Sequence, residues 1–250
     1  MIIYEDEQTD DLQLNGLKII QKKKGFKFGT DAVLLSDFAS GSHAESIADL
    51  CTGTGIVAVL LSAKTDAKKI CAVEIQEDIA EMAKRSAELN GLENRVFIKC
   101  GDLKECVGFY GKRAFELVTC NPPYMRYGAG VPNESSSKLI SRHEVMCTLE
   151  DVIKTASELV TVSGHFVMVH RPSRLCDALY LMRKYEIEPK RIRFVHKNEK
   201  EEPVLFLVDG LYKGKSDVKV LPPLIMYTEN GEETEELKRI YNRGNGEKNR

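Results

Sequence analysis

The sequence has no C-x-x-C pair, no apolar run long enough to cross a bilayer, and almost no net charge. Its uncharged stretches, such as 55–63 and 159–170, fall well short of the ~20 apolar residues that span a membrane. Near the N-terminus stand Glu5, Asp6, Glu7, Asp10 and Asp11, where a signal peptide would carry basic residues ahead of an apolar run. The expectation is therefore a cytoplasmic protein with no membrane partner. The seven cysteines (51, 71, 100, 106, 120, 147 and 176) are odd in number, and several lie in apolar runs such as Ile70-Cys71-Ala72-Val73. They read as small buried hydrophobes in a reducing compartment. With the five histidines scattered, no metal site is expected. Lys+Arg total 36 against 38 Asp+Glu, a net charge of −2, so there is no bulk attraction for nucleic acid. Any such binding must come from a local basic patch. No internal repeat and no long low-complexity linker divides the chain.

What is present is an ordinary globular composition, 42% hydrophobic and 30% charged. At about 150 residues per domain, 250 residues make one large domain or a domain with an appendage. Leu12-Gln13-Leu14, Asn15-Gly16 and Leu17 to Gln21 read as a short hairpin, because Asn-Gly suits a two-residue turn with positive φ. A helix is expected to begin near Thr30. From Ser46 the pattern becomes strand, glycine turn, helix, strand, helix. Strand candidates are 46–50, 69–75, 95–100, 115–120, 164–170, 192–196 and 204–209. Helical runs fall at 56–64, 77–90, 149–162 and 174–185. This alternation implies an α/β protein with a Rossmann-like, seven-stranded, mostly parallel sheet. The last two strands, close in sequence, should form an antiparallel pair closing one edge. The expected organisation is a hairpin extension over 1–28, the main domain over 29–228, and a charged tail or surface helix over 229–250.

Asp49-Leu50-Cys51-Thr52-Gly53-Thr54-Gly55 follows the first buried strand and opens a helix. Glycine lets a ligand approach the backbone, and the helix N-terminus offers unpaired N–H groups. Glu74 ends the second strand, 21 residues after Gly53, where a carboxylate accepts bonds from ribose hydroxyls. Asp102, in Gly101-Asp102, follows the third strand at the same rim. A dinucleotide fingerprint would want G-x-G-x-x-G, whereas Ala58 stands three residues after Gly55. Asp49 can face an ammonium, which suits the amino-acid end of S-adenosylmethionine better than a pyrophosphate. The candidate cofactor contacts here are Asp49, Thr52, Gly53, Gly55, Glu74 and Asp102.

Asn121-Pro122-Pro123-Tyr124 lies directly after the fourth strand. The prolines stiffen the loop and leave its carbonyls free. The Asn121 side-chain oxygen and the Pro122 carbonyl can each accept one N–H of a planar amino group, which favours a tetrahedral nitrogen with its lone pair aimed at a methyl donor. Catalysis of this kind is positioning plus fixed dipoles. Tyr124 offers a face for a flipped base. Asn121, Pro122 and Tyr124 are thus the candidate catalytic residues, with Asn121 also near the cofactor. Cys120, beside them, ends an apolar strand and reads as a packed thiol rather than a nucleophile.

Together, D-L-C-T-G-T-G, Glu74, Gly101-Asp102 and N-P-P-Y resemble the class I S-adenosylmethionine-dependent methyltransferases that methylate amino groups. The segment Phe26-Lys27-Phe28-Gly29-Thr30-Asp31-Ala32-Val33-Leu34-Leu35 is similar to the motif before the first strand in the tRNA1(Val) adenine-37 N(6)-methyltransferase family, of the methyltransferase small-domain type. That resemblance implies that Gly29, Thr30 and Asp31, with Lys27 close by, lie near the methionine end of the cofactor. Cys51 departs from the pattern, since many methyltransferases have the turn's first glycine there.

Arg142 and His143, after a Gly/Ser-rich loop, are candidates to contact phosphate or base, or simply to start a salt-bridged helix. Arg191 and Arg193 alternate along a strand candidate within the densest basic stretch, 190–200. With Lys22, Lys23, Lys24 and Lys27 they could track RNA phosphates, or be a solvated face. The implied activity is methylation of an adenine amino group in RNA, with tRNA as partner. Protein glutamine methylation, guanine amino methylation of ribosomal RNA, and a non-catalytic adenosyl-ligand or RNA-binding module stand as alternatives.

Overall fold

The computed structural model describes residues 2–24, 29–123 and 147–242. Strands β1 (Glu7–Asp11) and β2 (Lys18–Lys22) pair antiparallel. Asn15 and Gly16 both take positive φ, as the turn requires, at 52° and 71°. The first arm of the hairpin is 7–11, however, and not 12–14. The Leu12 N–H donates to the Leu17 carbonyl, and the Leu17 N–H donates to that of Leu14. This curls 12–17 into a loop whose Leu12 and Leu14 are buried in the main core.

The hairpin docks on helix α3 (Glu77–Leu89). The outer edge of β2 would otherwise offer unpaired backbone groups. Here the Lys18 N–H donates to Asn90 Oδ1 (2.9 Å), Asn90 Nδ2 donates to the Lys18 carbonyl (2.7 Å), and the Ile20 N–H donates to Ser86 Oγ (3.0 Å). Arg85 of α3 adds a buried ion pair to Glu7, at 2.6 and 2.8 Å, with the Tyr4 ring stacked on its guanidinium.

The main sheet holds β3 (Ser46–Leu50), β4 (Lys69–Glu74), β5 (Val96–Cys100), β6 (Phe115–Cys120), β7 (Val160–His170), β8 (Ile187–His196), β9 (Pro203–Tyr212), β10 (Lys219–Val220) and β11 (Leu224–Ile225). Its order is β10-β8-β9-β7-β6-β3-β4-β5, with β11 also on β8. Neighbours from β5 to β7 run parallel. β8 and β9 are antiparallel to each other as expected, but β9 is inserted between β7 and β8. The edge is then closed by β10 and β11, giving nine strands among the described residues instead of seven. Pro222 and Pro223 cannot donate to a ladder, which breaks this edge into two-residue pieces.

Helices α1 (Thr30–Ser40), α2 (Ile56–Lys64) and α3 share one face of the sheet with α7 (Glu235–Ile240). On the other face lie a 3-10 turn (Leu103–Glu105), α4 (Cys106–Tyr110), α5 (Leu149–Leu159) and α6 (Leu175–Lys184). α5 opens with a capping box of Thr148 and Asp151 and ends earlier than expected. The β-branched run Val160-Thr161-Val162 passes directly into β7. Helix α7 is not a surface appendage: Leu237 and Ile240 are buried in the α1–α2 core. The parallel arrangement brings the carboxyl ends of β3, β4, β5 and β6 to one rim. No helix among the described residues is long and apolar enough to cross a membrane.

Candidate functional site

The glycine turn leaves β3 through three left-handed residues, Cys51 (φ 56°), Gly53 (57°) and Gly55 (86°). Cys51 takes the conformation that glycine would adopt freely, at a cost of about 1–2 kcal/mol. The turn is held by the Thr52 N–H donating to the Val73 carbonyl and the Gly55 N–H donating to that of Thr52, both at 3.0 Å. A Cβ on Gly55 would approach the Ala83 methyl of α3 to 3.3 Å, whereas one on Gly53 would meet nothing within 4 Å. The turn is thus packed behind at Gly55 and open in front at Gly53.

Two buried carboxyl groups flank it. Asp49, on β3, is 1% exposed. Its oxygens accept from Thr52 Oγ1 (2.5 Å) and Thr119 Oγ1 (2.7 Å). Burial pushes this carboxyl up to about 7, opposed by the two hydroxyl bonds and reinforced by the charge of Glu74. Glu74 Oε2 accepts from the Gly53 N–H (3.0 Å), and Oε1 accepts from Gln76 N (3.0 Å) and Gln76 Nε2 (3.2 Å). A carboxylate has about four acceptor positions, so one remains and the Gln76 amide can yield another. Asp102 caps the 3-10 turn, accepting from the Lys104 N–H, and lies next to Glu74 because the Gly101 N–H donates to the Glu74 carbonyl.

Register places Asn121 at the same rim. Leu50 pairs with Cys120, so Cys51 and Asn121 leave adjacent strands at one level. Pro122 is buried and Pro123 exposed. Cys120 is fully buried in contact with the Cys51 thiol, and burial raises its thiol, which is unlike a nucleophile. Cys147 also meets Cys51. Among the described residues no group of His, Cys, Asp and Glu is arranged to hold a metal ion. Gly29 caps α1 in extended conformation, followed by Thr30 and Asp31; a Cβ on Gly29 would come within 2.7 Å of Asp31 Oδ1, which accepts the Ala32 N–H. Lys27, Tyr124, Arg142 and His143 lie outside the described residues.

This donor set fits an adenosyl ligand with an amino-acid tail. It offers open space over Gly53, acceptor capacity at Glu74, and a buried carboxyl group at Asp49 that no described cation neutralises. The model of the methyltransferase small domain matches residues 19–186. The chain belongs to that family. The methyltransferase is 28% identical over 201 residues to the tRNA1(Val) (adenine(37)-N6)-methyltransferase of Porphyromonas gingivalis, covering 78% of each chain. It is also 28% identical to the enzyme of that name from Christiangramia forsetii, covering 89% of this chain and 92% of the relative. Among solved structures, a predicted O-methyltransferase from Agrobacterium tumefaciens shares the fold with a TM-score of 0.70 at 23% identity, over 85% of this chain and 95% of that one.

Two polar partners in this methyltransferase escaped the sequence reading. Thr119 is a hydroxyl inside an otherwise apolar strand stretch, and Gln76 follows Glu74 by two residues; both were visible as polar positions at the right strand ends. The basic stretch on β8 behaves otherwise than expected. Arg191 and Arg193 do point to one face, but that face is covered. Arg191 pairs with the buried Asp209 at 2.8 Å and lies over the Phe38 ring of α1. Arg193 pairs with Glu236 of α7 (2.9 Å) and donates to the Pro222 carbonyl. Both are half-buried and paired with carboxylates of the fold instead of standing as free phosphate donors. Lys22 likewise pairs with Asp6 and Glu7. Arg191→Ala is expected to destabilise the protein by roughly 1.5–3 kcal/mol, because among the described residues Asp209 then keeps only His165 as partner. Thermal unfolding measures this, and an unchanged midpoint would show that the pair contributes nothing.

Proposed function

We propose that this methyltransferase transfers a methyl group from S-adenosylmethionine to the exocyclic amino group of an adenine in tRNA, near the anticodon. The observation that carries the reading is a pair of hydrogen-bonded groups, Gln76–Glu74–Gly53 and Thr52–Asp49–Thr119, joined through the Thr52–Gly53 peptide, the second ending on β6 two residues before Asn121. It is supported by the activity for which the relatives are named. When bound, the cofactor supplies an electrophilic methyl group. Glu74 accepts from the ribose hydroxyls, the Gly53 turn lets the adenosyl moiety approach the backbone, and Asp49 receives the ammonium. Asn121 Oδ1 and the Pro122 carbonyl accept the two N–H bonds of the adenine amino group and aim its lone pair; Tyr124 stacks on the base.

The deciding experiment incubates the protein with labelled S-adenosylmethionine and total tRNA, followed by nucleoside analysis. Label in N6-methyladenosine supports the proposal; label in guanosine or in protein refutes it. Glu74→Ala is expected to weaken cofactor binding by roughly 1.5–3 kcal/mol, since it removes both the ribose acceptor and the anchor of the Gly53 N–H. Calorimetry with S-adenosylhomocysteine measures this, and wild-type affinity would take Glu74 out of the site.

A further inference from the structure

A threonine hydroxyl owns one hydrogen, and Thr119 Oγ1 has two acceptors: Asp49 Oδ1 at 2.7 Å and the Ala48 carbonyl at 3.4 Å. If Asp49 is a carboxylate, Thr119 donates to it. If Asp49 carries a proton on Oδ1, that proton is donated to Thr119 Oγ1, and the threonine hydrogen turns to Ala48. The group is wholly buried, and among the described residues no cationic side chain pairs with it. From β4 it faces Glu74, which opposes ionisation, and from β6 the Cys120 thiol. The helices over this face bring charges engaged elsewhere: Asp31 accepts its neighbour's N–H, and Asp37 and Lys64 pair with each other. Further along the sheet, Asp209 is matched by Arg191 and His165. Among the described residues Asp49 is therefore a buried acid with no cation against it, set between two hydroxyls at the mouth of the glycine turn.

Resting on the proposed cofactor, we infer that its ammonium group is received by Asp49 only as a carboxylate, so that binding expels one proton from the protein, and that Thr119 is the positioning residue whose hydroxyl follows the change. The O–H bond of the carboxyl group breaks, its proton passes to the buffer, and the ammonium keeps its own hydrogens. No electron is transferred. With the Asp49 carboxyl held near 7 by burial, the competent form is a minority at pH 6 and the majority at pH 8. Affinity should therefore be about tenfold weaker at pH 6 than at pH 8.

The test is calorimetric titration of the full chain with S-adenosylhomocysteine at pH 6 and pH 8, in buffers of different ionisation enthalpy. The control ligand is 5′-methylthioadenosine, which has the adenosine but no ammonium. Expected are nearly one proton released per S-adenosylhomocysteine at pH 6, little at pH 8, and none with the control. Thr119→Val should move the pH dependence of affinity upward by removing a donor to the carboxylate, and Thr119→Ser should restore it. A merely structural role would not change the proton count. If Thr119→Val does not fold, Asp49→Asn provides the check, since it must abolish proton release. Binding at pH 6 without proton release, or equal release with the control, overturns the inference and leaves the cofactor assignment standing. Failure of S-adenosylhomocysteine to bind at all overturns both. An unmoved pH dependence in Thr119→Val removes Thr119 from the inference.

Discussion

Asn121→Ala is expected to lower the rate of methyl transfer about 100–1000-fold under single-turnover conditions while leaving cofactor affinity close to that of the unaltered protein. The figure is what one fixed dipole at a reacting centre contributes, about 2.7–4 kcal/mol. An aromatic amino group is a poor nucleophile because its lone pair is delocalised. Two acceptors held in place at the end of β6 favour the geometry in which that lone pair points at the donor. Asn121 follows a fully buried strand residue and precedes a buried proline, so its backbone is held by packing on both sides. Asn121→Asp should be milder, since a carboxylate still accepts the bond, and Tyr124→Phe milder again, since the stacking face is kept. Rapid-quench measurement on an adenine-containing tRNA gives the order Tyr124→Phe above Asn121→Asp above Asn121→Ala. Near-normal turnover in Asn121→Ala would place the reaction centre elsewhere.

Arg85→Met is expected to cost about 3 kcal/mol of stability, toward the lower end of what breaking a buried pair costs, because Glu7 keeps the 3.5 Å contact of Lys22 and the Tyr4 N–H. Glu7 is 3% exposed and Arg85 6% exposed, and the guanidinium also reaches Glu81 (2.8 Å) and the Ile2 carbonyl (2.9 Å). The Arg85 guanidinium, with the Tyr4 N–H and the Lys22 charge, holds the Glu7 carboxyl down to about 2 against the opposing effect of burial. A carboxyl group lowered on folding stabilises the native state at pH values above its unfolded value, near 4.5, and that contribution is lost as pH falls toward 2. Removing the charges together, as Glu7→Gln with Arg85→Met, should recover much of the loss, because no uncompensated ion is left buried. Chemical denaturation of the two variants and the parent at pH 7, and of the parent at pH 3, measures both effects. Equal losses in the single and double variants would show that the stabilisation comes from packing alone.

The order of strands and helices, the glycine turn and the Asn-Pro-Pro element were legible because each rests on neighbours within a few residues. Positive φ at Gly53 and Gly55, the Asn15-Gly16 turn and the helix start at Thr30 are local demands of backbone sterics and periodicity. The place of Glu74 and Asn121 at one rim follows from parallel strand order, which the alternation of elements already implies. The partners of charged residues followed no such rule. Glu7 and Arg85 are 78 residues apart in sequence, and nothing near either one announces the other. Arg191 and Arg193 looked like a basic stripe because sequence reports spacing along a strand, while the tertiary structure decides which face α1 and α7 cover. The same holds for Thr119, whose hydroxyl gains meaning only from the Asp49 carboxyl across the strand pair. The insertion of β9 between β7 and β8 likewise depends on pairing between separate segments. Sequence determined the elements and the chemistry they carry; tertiary structure decided which charges meet, because those encounters are set by packing between segments distant in the chain.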